Sequence, residues 1–494
     1  MTIPPDQAEV VRFLTRLSGA KPKQTHISAV FVGPDTAYKL KKAVRKSFLD
    51  FTTIQQRHHF LQRELELNRP NAPGIYRDVA AVVRRADGSL DIGDREADAV
   101  DWVLRMAPVP ADDFLDEVAQ RHGLTPALLD ALGDCVARYH GRLPPVAGWD
   151  SAAALLRITR GNAESALAAG LPVALVEAWQ HGMTAAIEAR SGWLASRAAE
   201  GFVRRCHGDL HLGNLCLWEG APVAFDALEF DEAMATIDTA YDLGFLLMDL
   251  DQRVGRPAAN RVMNRYVART GDAAATGGLP MFMSQRAMIR AHVLAATDRR
   301  EQADPYLQAA AEYLKPRPAC VLAIGGLQGT GKSTLARRIA PELGPAPGAL
   351  VLRSDELRKR LHGVAPEARL PQEAYSEASN SAVNKALIEL AHTAAAGGHS
   401  VIVDSTFLDP AMRRSLADAM TEASVPFKGV WLQAPLPILE QRVAAREGDA
   451  SDATVAVLRR SAANDPGAGD WIAIDACDGD EAERTIRAAA EWPT

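Results

Sequence analysis

Residues Gly326-Leu-Gln-Gly329-Thr330-Gly331-Lys332-Ser333 have the spacing G-x-x-x-x-G-K-[ST], and each residue type in it suits a chain of phosphates. The glycines let the backbone wrap so that successive N–H groups point at an anion. Lys332 can reach β- and γ-phosphates, and the Ser333 hydroxyl can ligate Mg²⁺. Gly326, Gly329, Thr330, Gly331, Lys332, Ser333 and Thr334 are therefore the candidate phosphate-cradle residues. The apolar run before the motif reads as a buried strand, which is the context the motif requires. Downstream, Ser354-Asp355-Glu356-Leu-Arg358 follows a second apolar run and sits where open α/β sheets form their ligand crevice. Asp355 can accept the proton of a hydroxyl and Arg358 can hold an anionic acceptor; the competing role for Ser354 or Asp355 is to cap the following helix. Val401-Ile-Val-Asp404 is an apolar strand ending in a carboxylate, suited to a metal-side or substrate-orienting role, or to a plain strand-end turn. Arg442 and Arg446 share one helical face, as lid arginines would, the alternative being a solvated basic face. Residues 447–453 read as the loop of that lid.

A second constellation lies upstream. Cys206-His207-Gly208-Asp209-Leu-His211-Leu-Gly213-Asn214 contains H-x-D-x-x-x-x-N, in which Asp209 can take a proton from an acceptor hydroxyl and Asn214 can hold Mg²⁺. Asp226, after an apolar strand, sits where a second metal-binding carboxylate belongs. Lys39 is the candidate ATP-binding lysine, with Lys41 its rival on the same face of the strand, and Glu64 on the next helix is the candidate partner. His207 and His211 are competing candidates for a metal, but a brace for the loop suits His207 better.

These side chains need elements to hold them. Residues 26–32 and 37–44 read as strands joined by the Gly33-Pro-Asp-Thr36 turn, 53–67 as a helix, and 79–84 and 100–106 as strands. From 111 to 314 the pattern is mostly helical, apart from strand-like stretches at 215–218 and 223–225. Lys315-Pro316-Arg317-Pro318 cannot continue a helix and marks a boundary. Beyond it, apolar runs at 319–325, 349–353, 400–404, 427–433 and 471–475 alternate with helical pattern, which implies a parallel sheet covered on both faces. The predicted architecture is two domains. The first is an N-terminal α+β bilobal protein-kinase-like fold with a small lobe at 1–106 and a helical lobe at 107–314. A linker at 315–318 leads to a C-terminal α/β P-loop domain with a parallel five-stranded sheet at 319–494.

Composition agrees with this division. A chain of 494 residues exceeds a single core, and 47% hydrophobic with 24% charged residues excludes a mainly disordered chain. The net charge of −7 argues against a general duplex nucleic-acid binder. Cys135, Cys206, Cys216, Cys320 and Cys477 are scattered without a C-x-x-C pair, as buried single thiols of a reducing compartment would be. No run is long and apolar enough for a spanning helix, and the start lacks the basic and apolar regions of a signal peptide, so a cytoplasmic location is expected.

The phosphate loop, S-D-E-L-R, V-I-V-D-S-T and R-x-x-x-R, in this order, resemble the small P-loop kinases over roughly residues 319–492. That group includes polynucleotide 5′-hydroxyl kinases, gluconate kinases, chloramphenicol phosphotransferase and zeta-type toxins. The resemblance implies Asp355 as base, Arg358 as acceptor contact, and Arg442 and Arg446 as lid arginines. The string His207-Gly-Asp-Leu-His-Leu-Gly-Asn214 resembles the catalytic loop of the aminoglycoside phosphotransferase branch of protein-kinase-like enzymes, over roughly residues 20–300. Two departures stand out. Thr25-His-Ile-Ser28 takes the place of a glycine-rich loop, making Ser28 a candidate phosphate contact, and Asp226-Ala-Leu-Glu229-Phe replaces the usual continuation after the metal-binding aspartate. The chain as a whole resembles a bacterial fusion of two ATP- and Mg²⁺-dependent phosphotransferases. The expected acceptors are hydroxyls of small molecules or nucleic-acid ends, with no membrane and no stable duplex partner. Two rival readings are a single active domain beside a nucleotide-sensing module, and a nucleic-acid-processing ATPase, which the acidic charge and the lack of an aromatic-basic stripe disfavour.

Overall fold

In the computed structural model, residues 3–46, 49–93, 98–445 and 450–490 are described. They group into two compact units, Met1–Ala131 with Arg138–Ser151 and Ala195–Asp242, and Leu132–Ala137 with Ala152–Leu194 and Leu243–Thr494.

The first unit is built on a six-stranded antiparallel sheet. Its strands are β1 (Lys23–Gln24), β2 (Ser28–Val32), β3 (Ala37–Lys41), β4 (Tyr76–Arg84), β5 (Leu90–Gly93) and β6 (Ala99–Met106), in the order β1-β2-β3-β6-β4-β5. Side chains alternate across a strand, so each face has its own cover. On one face, helix α1 (Ala8–Ser18) packs Val10, Phe13 and Leu14 against Ala29, Phe31, Leu40, Val82 and Val103. On the other, helix α2 (Ile54–Asn68) packs Leu61 against Ile75, Tyr76, Trp102 and Leu104. Burying one such aliphatic or aromatic side chain stabilises by about 1.5–3 kcal/mol. Thr53 starts α2 by accepting from Gln56 N at 3.2 Å. Two short antiparallel pairs follow: β7 (Val203–Arg205) with β10 (Thr236–Asp238), and β8 (Leu215–Trp218) with β9 (Ala221–Ala224). The helix α1 and the pair β7/β10 were not anticipated from sequence.

The second unit holds a five-stranded, all-parallel sheet of β11 (Val321–Gly326), β12 (Leu350–Arg353), β13 (Val401–Asp404), β14 (Phe427–Gln433) and β15 (Ile472–Asp475), in the order β12-β13-β11-β14-β15. These are the five apolar runs of the sequence, each within two residues of its expected bounds. β11, β12 and β13 are buried on both faces, and such strands read as continuous apolar stretches, which is why they were legible. Leu322, Ile324, Ile402, Val430, Leu432 and Ile474 form the core with Leu335 and Ile339. The helices that carry site residues are α11 (Lys332–Ile339), after β11, and α12 (Ser354–Leu361), after β12; α15 (Leu436–Ala444) follows β14. The same unit contains helices from before the linker. Among them are α5 (Val173–Ala189), α8 (Arg256–Thr270), α9 (Leu279–Ala295) and α10 (Arg300–Glu312). Trp179 Nε1 donates to Ser284 Oγ at 3.0 Å and Ser284 to Ala310 O at 2.6 Å, tying α5, α9 and α10 together. No helix among the described residues is long and apolar enough to cross a membrane.

Candidate active sites

In the first unit, β3 turns Lys39 and Lys41 to the same face, and α2 brings Glu64 beneath both. Lys39 Nζ lies 2.6 Å from Glu64 Oε1 and 2.5 Å from Asp226 Oδ1; Lys41 Nζ lies 2.8 Å from Glu64 Oε2 and 2.5 Å from Glu229 Oε1. The sequence left Lys39 and Lys41 as rivals. Both take part: Lys39 is the one that meets Asp226, and Lys41 is fully buried against Glu229, the residue that departs from the usual motif. Burial would lower Lys39, but Asp226 and Glu64 outweigh it and hold the ammonium well above its ordinary pKa. Glu64 is likewise opposed by burial and held low by Lys39 and Lys41. Three carboxylates face two ammonium groups here, and the surplus negative charge is felt at Glu229, which burial and then the neighbouring Glu64 and Asp226 push upward despite Lys41.

Asp209 stands on the loop between β7 and β8 with its side chain 45% exposed, open to an incoming group. Asn214 Nδ2 donates to Asp209 Oδ2 and to Asp209 O, both at 2.9 Å, so the candidate base and the candidate metal-ligand amide are held together. His207 braces the loop by bonding Phe225 O at 2.8 Å, and burial lowers its pKa, keeping the ring neutral. The residue that sequence reasoning missed is Asp242, on helix α7 (Thr239–Arg253). It is fully buried, accepts from His207 N at 3.0 Å and Gly208 N at 2.9 Å, and meets His140 Nε2 at 3.1 Å. Its signal was a lone carboxylate in the apolar run Ala240-Tyr-Asp-Leu-Gly-Phe. His140, Cys206 and Asp242 also bring ligand atoms within 4.8 Å of one another, but the hydrogen bonds of Asp242 to the loop backbone already account for its place. Ser28, the candidate phosphate contact, lies within β2 opposite Lys41, is 2% exposed, and its hydroxyl is buried.

In the second unit, the phosphate loop crosses from β11 to α11. Gly326, Gly329 and Gly331 have φ of 136°, 88° and 88°, and a Cβ on Gly326 would come within 2.5 Å of Leu432 O. Lys332 Nζ donates to Gly326 O and Leu327 O at 2.9 Å each, folding back across the loop it closes. Thr330 is buried and donates to Leu327 O at 2.8 Å, while Thr334 is exposed on the first turn of α11. Ser333 Oγ donates to Asp404 Oδ2 at 2.5 Å, and Arg353 Nε reaches the same oxygen at 3.3 Å. Asp355 lies on the first turn of α12 with Ser451 hydrogen-bonded to it; burial first, and then the charge of Asp404, raise its pKa against Arg353, Ser451 and Lys332.

Two arginines are placed differently from their expected roles. Arg358 donates to Ala374 O, Ser379 Oγ and Asn380 Oδ1 and stacks on Tyr375 with 4.8 Å to the ring centroid, so it fastens the segment 374–380 instead of offering a free fork to an acceptor. Arg442 donates to Ala476 O and Cys477 O at 2.8 Å each and to Gly329 O at 3.5 Å, bracing the loop's backbone from α15. Arg446 and residues 447–449 of the expected lid lie outside the described residues. Asp452, at the end of that segment, pairs with Lys359 and accepts from Tyr375 Oη at 2.6 Å and Leu370 N at 3.0 Å.

Residues 89–277 match the phosphotransferase enzyme family, and residues 321–464 match an AAA domain family. Uncharacterized proteins of Mycobacterium tuberculosis and Mycobacterium bovis are each 29% identical over 470 residues, covering 91% of this chain and 90% of their own length. Among solved structures, a gluconokinase from Sinorhizobium meliloti aligns at 20% identity over 36% of this chain and 96% of its own, with a TM-score of 0.26. A choline/ethanolamine kinase family protein from Mesorhizobium loti aligns at 14% identity over 62% of this chain and 99% of its own, with a TM-score of 0.36. The chain thus carries a segment that matches the phosphotransferase enzyme family, at 89–277, and one that matches an AAA domain family, at 321–464.

Proposed function

We propose that each half uses ATP to phosphorylate a hydroxyl group. The observation that carries this reading is the meeting of Lys39 with both Glu64 and Asp226, residues far apart in sequence that a phosphate-binding lysine needs at once. In each half the attacking oxygen forms a bond to the γ-phosphorus, the bond from that phosphorus to the β–γ bridging oxygen breaks, and ADP leaves. The hydroxyl proton passes to Asp209 in the first half and to Asp355 in the second. Lys39, oriented by Glu64, holds phosphate oxygens in the first site. In the second, the backbone N–H groups of the Gly326–Ser333 loop and the Lys332 ammonium do so.

Asn214 with Asp226, and Ser333 with Asp404, are oxygen-donor sets that fit Mg²⁺, and the surplus negative charge beside Lys39 and Lys41 suits a cation. Mg²⁺ bound there supplies charge neutralisation on the phosphates. The rest is positioning, which alone lowers such barriers by several kcal/mol, on the order of 7–11 in well-oriented cases. The acceptors are hydroxyls of small molecules or of nucleic-acid ends. Transfer of label from [γ-³²P]ATP into fractionated cell extract, with the parent chain, D209A and K332A, tests the reading. Each variant should lose a different labelled product. Full labelling by both variants would overturn it.

A further inference from the structure

Among the described residues, strand β12 has a strand neighbour, β13, on one side only. An open edge presents unpaired N–H and C=O groups and has to be covered. Here two asparagines of α8 meet it. Asn264 Oδ1 accepts from Val351 N at 2.6 Å, and Asn264 Nδ2 donates to Ala349 O at 3.3 Å. Asn260 Nδ2 donates to the same carbonyl at 3.0 Å, and Asn264 Nδ2 also bonds Asn260 Oδ1 at 2.9 Å, which fixes both amides. A carboxamide carries one donor and one acceptor side by side, the same pair of functions a neighbouring strand presents. A helix that merely filled space would present apolar side chains; amides aimed at main-chain atoms perform strand pairing.

The next residue extends the grip. Arg265 is held by Asp134, with both nitrogen–oxygen distances 2.7 Å, and reaches Glu367 Oε1 at 2.6 Å. The carbonyl of the following residue, Ala368, accepts from Lys359, and Lys359 pairs with Asp452, next to the Ser451 that bonds Asp355. A third approach is glycine on glycine: a Cβ on Gly277 would lie 2.9 Å from Gly397 O. Strand β12 leads directly into Asp355, so whatever fixes the strand also fixes that carboxylate.

We infer that α8, which lies in the phosphotransferase-family segment, completes the P-loop sheet as a surrogate edge strand, with Asn264 and Arg265 as positioning residues for Asp355. The inference rests on the reading of Asp355 as the base of the second half. It is tested in the full chain on a D209A background, with Mg·ATP and water as the acceptor. N264L should speed hydrogen exchange at the Val351 amide by about tenfold or more, because that N–H loses its partner. N264L and R265A should each lower kcat for ATP hydrolysis about tenfold while KM for ATP stays within about twofold, since Lys332 follows β11 and not β12. Unchanged exchange at Val351 overturns the surrogate strand. A rise in KM for ATP matching the fall in kcat overturns the positioning role, since general loosening would move both. If the D209A chain hydrolyses ATP no faster than D209A/K332A, the kinase reading of this half fails, and exchange at Val351 still decides whether α8 pairs with the strand.

Discussion

Ser333 Oγ and Asp404 Oδ2 are 2.5 Å apart, which links the residue after the phosphate-loop lysine to the end of the adjacent parallel strand. S333A and D404A should both reduce turnover of the P-loop half by about 10²–10³, the scale seen when one preorganised polar group is lost. The two differ in stability. Asp404 also receives Arg353, which is 5% exposed, so D404A should cost about 1–3 kcal/mol while S333A costs little. ATP hydrolysis in a D209A background and urea denaturation separate the two effects. Turnover of S333A within about threefold of its parent would contradict the assignment.

Asp242 is the keystone of the His207–Asn214 loop. D242A leaves the N–H groups of His207 and Gly208 without their acceptor in a buried site, at about 1–3 kcal/mol for each. The expected outcome is a lowered Tm together with loss of the labelled product that depends on Asp209, with the Lys332-dependent product retained. Normal labelling of both products would show that the loop holds without this carboxylate.

Lys41 should behave as half of a buried pair. K41M strands Glu229 and removes one of the two cations at Glu64, and should cost about 3–5 kcal/mol. K41M/E229M removes both charges and should recover much of that loss, because the unpaired charge, not the missing contact, is the main cost. A double-mutant cycle read by urea denaturation measures the coupling, and additive effects would mean the pair is not a unit.

Asp355 makes the second half sensitive to pH. Its folded-state pKa is raised, chiefly by burial. The folded chain therefore binds that proton more tightly than the unfolded chain. The resulting stability is fully present below the unfolded aspartate pKa and is lost as pH rises through the folded value. D355N should thus be more stable than its parent at neutral pH, with the difference vanishing in acid. A base must be ionised to act, so the acid limb of the pH–rate profile should lie above the ordinary aspartate value of about 3.9. An acid limb at or below that value would rule Asp355 out as the base.

Motif chemistry and buried strands were readable along the chain because their signals are local. The phosphate loop, H-x-D-x-x-x-x-N and the five apolar runs each occupy a few consecutive residues. The partners that hold them are tertiary and leave weak traces. Lys39 and Lys41 share a face, so spacing could not separate their tasks; Asp226 and Glu229, nearly two hundred residues later, do so. Asp242 and Asn264 act on main-chain atoms of other elements; a carboxylate in an apolar run hints at the first, and the neighbours of Asn264 announce nothing. Arg358 and Arg442 have residue types suited to anions, but nearby carbonyl oxygens engage their donors first.

The asparagine contacts on β12 also bear on how the molecule can be divided. The proline punctuation at 315–318 invites a cut there, and such a cut would strip Asn260 and Asn264 from the strand they cover. The released 319–494 fragment would expose a raw sheet border able to recruit the same border of another copy, leading toward self-association and insolubility. Exchange of either half with a foreign partner faces the same obstacle unless helix and strand travel together. A cut at 315–318 thus separates a helix from the strand it covers.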